Sequence, residues 1–145
     1  MNQDPMIREL NQIYKEMDDF YHHYANEIGL SYSAFLIYYG ICLLGEGCLQ
    51  KDICELAFIS KQTINSSIRN LEEEGFITLV PGHGRELHIT LTEKGRGIAS
   101  QKVEPMVALE QEAMMKMTMT QREQLVSLTR IYLDNLKEIN KEGTR

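Results

Sequence analysis

A chain of 145 residues with 43% hydrophobic content is the size of one domain that can bury its own core without disulfide or metal staples. Its net charge of −6 gives no global attraction to a polyanion, so a nucleic-acid surface on it has to concentrate a few basic groups locally. Cys42, Cys48 and Cys54 are odd in number, lack CxxC spacing and follow no secretory leader, and the longest apolar run, Phe35 to Leu44, is far short of the roughly 20 residues that span a bilayer; a soluble, cytoplasmic protein without a disulfide framework or membrane partner is expected.

The first helix is predicted from about Pro5 to Glu27, because Leu10, Ile13, Met17, Phe20, Tyr24 and Ile28 recur in steps of three and four along one helix face. Ser31 is the expected N-cap of a second helix that carries Phe35, Leu36, Tyr39, Ile41 and Leu43 and closes at Gly45 and Gly47. A short helix follows from about Gln50 to Ala57, then a break at Phe58 and Ile59, then a helix with Ser60 as N-cap that runs to Glu74 and stops at Gly75. Phe76–Val80 and Glu86–Thr92 flank the turn Pro81-Gly82-His83-Gly84, and Leu87, Ile89 and Leu91 alternate with polar neighbours, the pattern of a hairpin. A long helical segment is predicted from about Glu93 to Met117, kinked or broken near Val103 by Pro105. Thr120 is the expected N-cap of the last helix, boxed with Glu123, and Leu125, Leu128, Tyr132, Leu136 and Ile139 are its apolar stripe.

The helix after Ser60 carries the chemistry. Ile64, Ile68 and Leu71 share one face, while Gln62, Asn65, Ser66 and Arg69 recur at i, i+3, i+4 and i+7 on another. Polar outer faces are the norm, so the stripe alone would be an ordinary solvated surface. Its side chains are nevertheless of the kind that reads base edges from a major groove, Arg69 suiting guanine or phosphate and Asn65 or Gln62 suiting adenine. The preceding short helix makes a helix-turn-helix pair with it, with Cys54 as the small residue expected where the two helices approach. Ser60, Lys61 and Thr63 lie at the helix N-terminus, where free backbone N–H groups favour a phosphate, and His83 and Arg85 sit at the hairpin tip, within reach of an adjacent minor groove or its phosphates. Counting Lys61, Arg69 and Arg85 against Glu72, Glu73, Glu74 and Glu86, this segment carries a net charge of −1, which predicts modest and strongly salt-dependent affinity.

The phrase Ser60-Lys-Gln-Thr-Ile-Asn-Ser-Ser-Ile-Arg-Asn-Leu-Glu-Glu-Glu-Gly-Phe-Ile77, followed by Arg85 and Leu91-Thr-Glu-Lys-Gly95, resembles the MarR family of winged helix-turn-helix transcriptional regulators. The resemblance implies a mainly α fold with a small β-hairpin wing: a single domain over 1–145, with a DNA-binding lobe at 30–95 and dimerization helices at 1–29 and 96–145. It implies a homodimer that binds a pseudo-palindrome in double-stranded DNA, as a repressor in the commoner mode, with half-sites roughly 10 bp apart. The family's wing usually carries Asp-x-Arg six residues ahead of the Leu-Thr pair; Arg85 matches the arginine, and His83 stands where the aspartate is expected.

Regulators of this kind commonly respond to small phenolic or lipophilic molecules held between the dimerization helices and the DNA-binding lobe. Here that zone would draw on Tyr14, Tyr21, Tyr24, Tyr38 and Tyr39, whose rings carry polar tips. Five of the eight methionines fall between Met106 and Met119, as filler for a dimer core or lining for an adaptable cavity. Of the thiols, Cys48 is expected to be the most exposed, and none has a cationic neighbour that would make a redox sensor. His22 and His23 point about 100° apart on a helix and cannot share a metal from one face; no metal and no cofactor is expected. Phosphate loops, nucleophile elbows, zinc-protease motifs and dinucleotide fingerprints are all missing, so an enzyme is not expected. The competing reading is a winged-helix module that binds a protein without specific DNA recognition, which the acidic balance permits.

Overall fold

The structure is a computed structural model and describes residues 2, 4–57 and 59–143; Phe58, half of the break predicted between the two short helices, lies outside the described residues. Helix α1 spans Pro5–Glu27 and starts as its sequence dictates, with the Asp4 carboxylate accepting from the Met6 N–H and a proline in the first turn, where no intrahelical donor is needed. Helix α2, Tyr32–Leu44, is capped by Ser31, whose hydroxyl accepts from the Ala34 N–H at 3.2 Å. Helix α3 spans Gln50–Leu56, and α4 spans Lys61–Glu73 with Ser60 accepting from the Thr63 N–H at 3.1 Å.

The wing is larger than the predicted hairpin. Strand β1 (Cys48–Leu49) joins β2 (Ile77–Pro81) and β3 (Leu87–Leu91) in an antiparallel sheet of order β1-β3-β2, with Cys48 opposite Ile89 and Ile77 opposite Leu91. Two residues are too few for a hydrophobic period to register, which is why β1 reads as loop in the sequence. The strand also bears on the expectation of an exposed Cys48: the residue is half-buried in the sheet, as Cys42 and Cys54 are half-buried in their helices.

Beyond the wing, the predicted long helix is three pieces: α5 (Glu93–Ile98), a single π-helical turn (Ala99–Val103) and α6 (Glu104–Met115). The wide turn ends two residues before Pro105, so the register adjustment falls at Val103, where the proline was expected to disturb the helix. Helix α7 spans Met119–Gly143, and its start corrects the sequence reading: the capping box is Thr118 with Gln121, not Thr120 with Glu123. The Thr118 hydroxyl accepts from the Gln121 N–H at 3.1 Å, and the Gln121 side chain accepts from the Thr118 N–H at 2.9 Å. Both pairs satisfy the same spacing rule, and the chain folds on the one two residues earlier.

The structure divides into two compact units, Met1–Val107 and Ala108–Arg145. The core of the first is built from Phe35, Ile37, Tyr38, Ile53, Ile64, Ile68, Ile77, Ile89 and Met106, all sealed from solvent. Gly40 of α2 is the small residue that lets α3 approach, since a methyl group there would already press on the Ile53 side chain at 3.3 Å. In α1 the predicted stripe splits: Ile28 and Tyr24 pack on the core, and the Tyr24 hydroxyl donates to the Lys102 carbonyl at 2.8 Å, whereas Ile13, Met17 and Phe20 are about half exposed. In the second unit α7 leaves Leu125, Val126, Leu128, Ile131, Leu136 and Ile139 open to solvent. Of the five clustered methionines, Met106 is buried in the first unit while Met115 and Met119 are exposed in the second. Among the described residues, no single helix is long and apolar enough to cross a membrane.

Candidate nucleic-acid interface

Helix α4 presents the predicted polar row. Ile64, Ile68 and Leu71 are buried and anchor it, and Ser67 reaches back to hydrogen-bond Ser33 of α2. Lys61, Gln62, Thr63, Ser66 and Arg69 are exposed on the opposite side, with Ser60 at the N-terminus. Ser60 and Thr63 are partly committed to each other, their hydroxyls 2.7 Å apart.

Asn65 departs from the expectation for a free base-reading side chain. It is half-buried, and its Oδ1 accepts from Gln50 Nε2 at 2.7 Å and from the Cys54 thiol at 3.6 Å, so α3 holds its acceptor and only its NH2 remains to donate outward. A bidentate contact to adenine needs both a donor and an acceptor, so Asn65 in this arrangement does not suit the adenine role assigned to it. Cys54 accordingly sits at the α3–α4 contact, as expected, though half-buried rather than enclosed.

Between the N-terminal ends of α3 and α4 and the wing lies an open cleft of about 320 Å³. Its walls bring together Lys51, Lys61 and Arg85 with Asn65, and Glu86 is its one carboxylate, 4.0 Å from the Lys51 ammonium. Lys51 was not among the sequence candidates; its position one residue into a short helix carries no periodic signal, and only the packing of α3 beside the wing brings it to Lys61. The wing tip is a tight turn in which the Glu86 N–H donates to the His83 carbonyl at 3.1 Å, with Gly84 at a φ of 61°, and it leaves His83 and Arg85 exposed. Glu72, Glu73 and Glu74 lie at the far end of α4 from Lys61, as their sequence position requires, and Lys94 reaches the Glu74 carbonyl at 3.2 Å while its ammonium stands 4.1 Å over the Phe76 ring.

The two motif phrases that carry the family resemblance prove to be the joint of the wing. Gly75 turns the chain out of α4 at a φ of 82°. Thr92 caps α5 by accepting from the Gly95 N–H at 3.1 Å, and its hydroxyl faces the Gly75 and Phe76 carbonyls at 2.6 and 3.1 Å. Glu46, outside both phrases, ties the loop before β1 to the same joint: it accepts from Arg96 at 3.1 and 3.2 Å and from the Leu91 N–H at 2.9 Å, contacts that hold its carboxyl below the usual glutamate range.

The five tyrosines named as effector contacts do not form one site. Tyr14, Tyr21 and Tyr39 come together with Tyr32 and Phe35 in a groove of about 550 Å³ between α1 and α2. Tyr24 and Tyr38 are elsewhere. Tyr24 spends its hydroxyl on the Lys102 carbonyl, and Tyr38 is 1% exposed in the core, where burial, with the Glu74 charge adding to it, pushes its hydroxyl up to about 12. Adjacent helix residues point about 100° apart, so Tyr38 turns inward where Tyr39 turns to the groove. Tyr32 was overlooked, although its spacing of seven from Tyr39 places the two on one helix face. Burial pushes all three thiols above their ordinary range, with the Lys61 charge partly opposing the shift at Cys54. His22 and His23 diverge as expected, the first stacked on Tyr32 at 3.6 Å and the second 3.0 Å from Glu27.

A MarR family profile matches residues 28–86 of the chain. No curated protein sequence matches significantly. Among solved structures, a MarR family regulator from Neisseria meningitidis is similar over the whole of both chains, with 20% identity and a TM-score of 0.77. A putative MarR family transcriptional regulator from Listeria monocytogenes, complexed with 26mer DNA, shares 19% identity and a TM-score of 0.67, covering 95% of this chain and 91% of that one. A MarR family protein of Mycobacterium tuberculosis complexed with salicylic acid shares 19% identity at a TM-score of 0.59, over 90% of this chain and 98% of that one.

Proposed function

We propose that the protein, whose residues 28–86 match a MarR family profile, is a regulator of that family: a homodimeric, sequence-specific DNA-binding transcriptional regulator, a repressor that a small aromatic effector releases from a pseudo-palindromic operator. The observation that carries this reading is the exposed row Lys61, Gln62, Ser66 and Arg69 on α4, flanked by Lys51 and Arg85 across the cleft. A chain of net charge −6 that collects three cations around one cleft at the start of a polar helix face has the local concentration of charge that phosphate docking requires. The Listeria neighbour bound to DNA supports the same use of this fold.

Roles within the interface follow from chemistry. Gln62, Ser66 and Arg69 read bases, with Asn65 contributing as a donor, while Ser60, Lys61, Thr63, Lys51 and Arg85 hold the backbone and His83 extends the wing tip. Dimerization engages exposed apolar side chains within the helices 1–29 and 96–145, Ile13 and Phe20 of α1 outside the groove and Leu125, Leu128 and Ile139 of α7 among them, because exposed apolar side chains in such numbers mark an interface. A two-fold axis then presents two α4 helices to half-sites about one helical turn apart, roughly 10 bp. The groove between α1 and α2 is the effector site, a reading supported by its aromatic walls.

The test is fluorescence anisotropy of the purified protein against the DNA flanking its own gene and a scrambled duplex, at two salt concentrations. Selective, salt-dependent binding is expected; Arg69→Ala should lower the preference for the specific duplex, and Lys51→Ala should weaken both duplexes alike and reduce the salt slope by about one. Weak binding to both duplexes, unchanged in the two variants, would overturn the DNA reading and favour a protein-binding winged helix.

A further inference from the structure

We infer that the groove between α1 and α2 binds a lipophilic cation, with Asp18 as its counter-ion and the tyrosine rings as its walls; the inference rests on the reading of this groove as a ligand site and specifies the ligand's charge.

The groove is apolar over most of its lining, and its one charged side chain among the described residues is the Asp18 carboxylate. Among the described residues no lysine or arginine lines it, and His22, packed on Tyr32 beside Asp18, is the basic side chain at its edge. Lys15, one turn before Asp18, is engaged by Asp19, its ammonium 3.0 and 3.1 Å from the two carboxylate oxygens. The Asp18 carboxylate lies 3.5 Å from His22, whose ring covers Tyr32 at 3.6 Å between centroids. Four rings then follow in sequence across the groove: Tyr21 lies 6.5 Å from Tyr39, Tyr39 is 5.8 Å from Phe35, and Phe35 is 6.3 Å from Tyr32.

That combination discriminates by charge. An aromatic carboxylate entering the groove would bring its negative charge toward Asp18 and find no cationic side chain to receive it, while losing its own hydration. A cation on an apolar body gains in two ways: Coulomb attraction to Asp18, whose more than half-exposed carboxylate stands at the groove's rim, and attraction to the negative faces of the tyrosine rings, which act on charges within about 6 Å of their centroids. The volume of about 550 Å³ admits a body of several rings rather than a small ammonium alone.

The experiment is isothermal titration calorimetry of the full-length protein with tetraphenylphosphonium and with tetraphenylborate, which match in size and aromatic surface and differ in the sign of their charge, and with salicylate as the small anion. The phosphonium is expected to bind at least about tenfold more tightly than either anion, Asp18→Asn to remove about tenfold of its affinity, and Tyr14→Leu about threefold. Far-UV circular dichroism and the melting temperature of both variants report that the fold is kept. Equal or tighter binding of the borate or salicylate, no measurable binding of the phosphonium, or undiminished phosphonium binding to Asp18→Asn would overturn the inference. Anisotropy against DNA without any ligand is read separately, so a failure of the DNA-binding proposal is distinct from a failure of this one; phosphonium that binds without releasing DNA counts against the effector role alone.

Discussion

Gly95 illustrates what a single residue does here. A methyl group on it would overlap the Phe76 carbonyl oxygen, because α5 starts directly against the chain leaving α4. Backbone on both sides of the clash leaves no flexible side chain to give way, so Gly95→Ala is expected to cost about 3 kcal/mol, read as a lowered urea midpoint at unchanged m-value. Glu46 supplies a pH dependence at the same joint. Arg96 and the Leu91 N–H hold its folded-state carboxyl below the ordinary glutamate range, so its contribution to stability is present above that range and is lost as pH falls through the lowered value. Glu46→Gln should therefore be less stable than the parent at neutral pH and converge with it in acid, measured by urea titration across the two conditions. The pair is largely exposed, so the difference should shrink in high salt. Neither role can be read from residue identity: Glu46 and Arg96 are fifty positions apart, and a glycine in a helical pattern looks like a weak point until its neighbour is known.

At the scale of elements, the caps were legible and their competition was not. Ser31 and Ser60 cap α2 and α4 as their positions predict, since a hydroxyl just ahead of an apolar-periodic run satisfies the first free N–H groups wherever the helix lies in the fold. At α7 two threonines offer the same chemistry, and Thr118 wins with Gln121 closing the box. Thr118→Ala should cost about 1 kcal/mol and Thr120→Ala much less, compared by thermal denaturation of the two variants. The π turn before Pro105 belongs to this scale as well. A proline announces a break, but whether the chain kinks, stops or widens one turn depends on what the next turn packs against, here with Val103 and Met106 both sealed in the core.

At the scale of the whole molecule, the question is what covers the apolar side chains of α7. Leu128 is 62% exposed, and Leu125, Leu136 and Ile139 on the same stripe are open as well. In the homodimer we propose, this surface is buried, so Leu128→Glu should shift the protein toward monomer in sedimentation velocity and weaken operator binding more than scrambled-DNA binding, because a monomer engages only one half-site. A variant that stays dimeric with unchanged affinity would remove Leu128 from the interface.

The sequence by itself determined where the helices lie, the serine caps of α2 and α4, the helix-turn-helix spacing, the polar row on α4 and the family resemblance, because capping, periodicity and glycine stops act over a few neighbouring residues. Only the tertiary structure decided that a two-residue strand completes the wing, that Gln50 occupies the acceptor of Asn65, that Lys51 stands beside Lys61, and that Tyr14, Tyr21, Tyr32 and Tyr39 share a groove while Tyr24 and Tyr38 do not. Each of these is a meeting of elements distant along the chain. Such a meeting is set by how faces pack, and a side chain's local pattern names its face but not the element that face will touch.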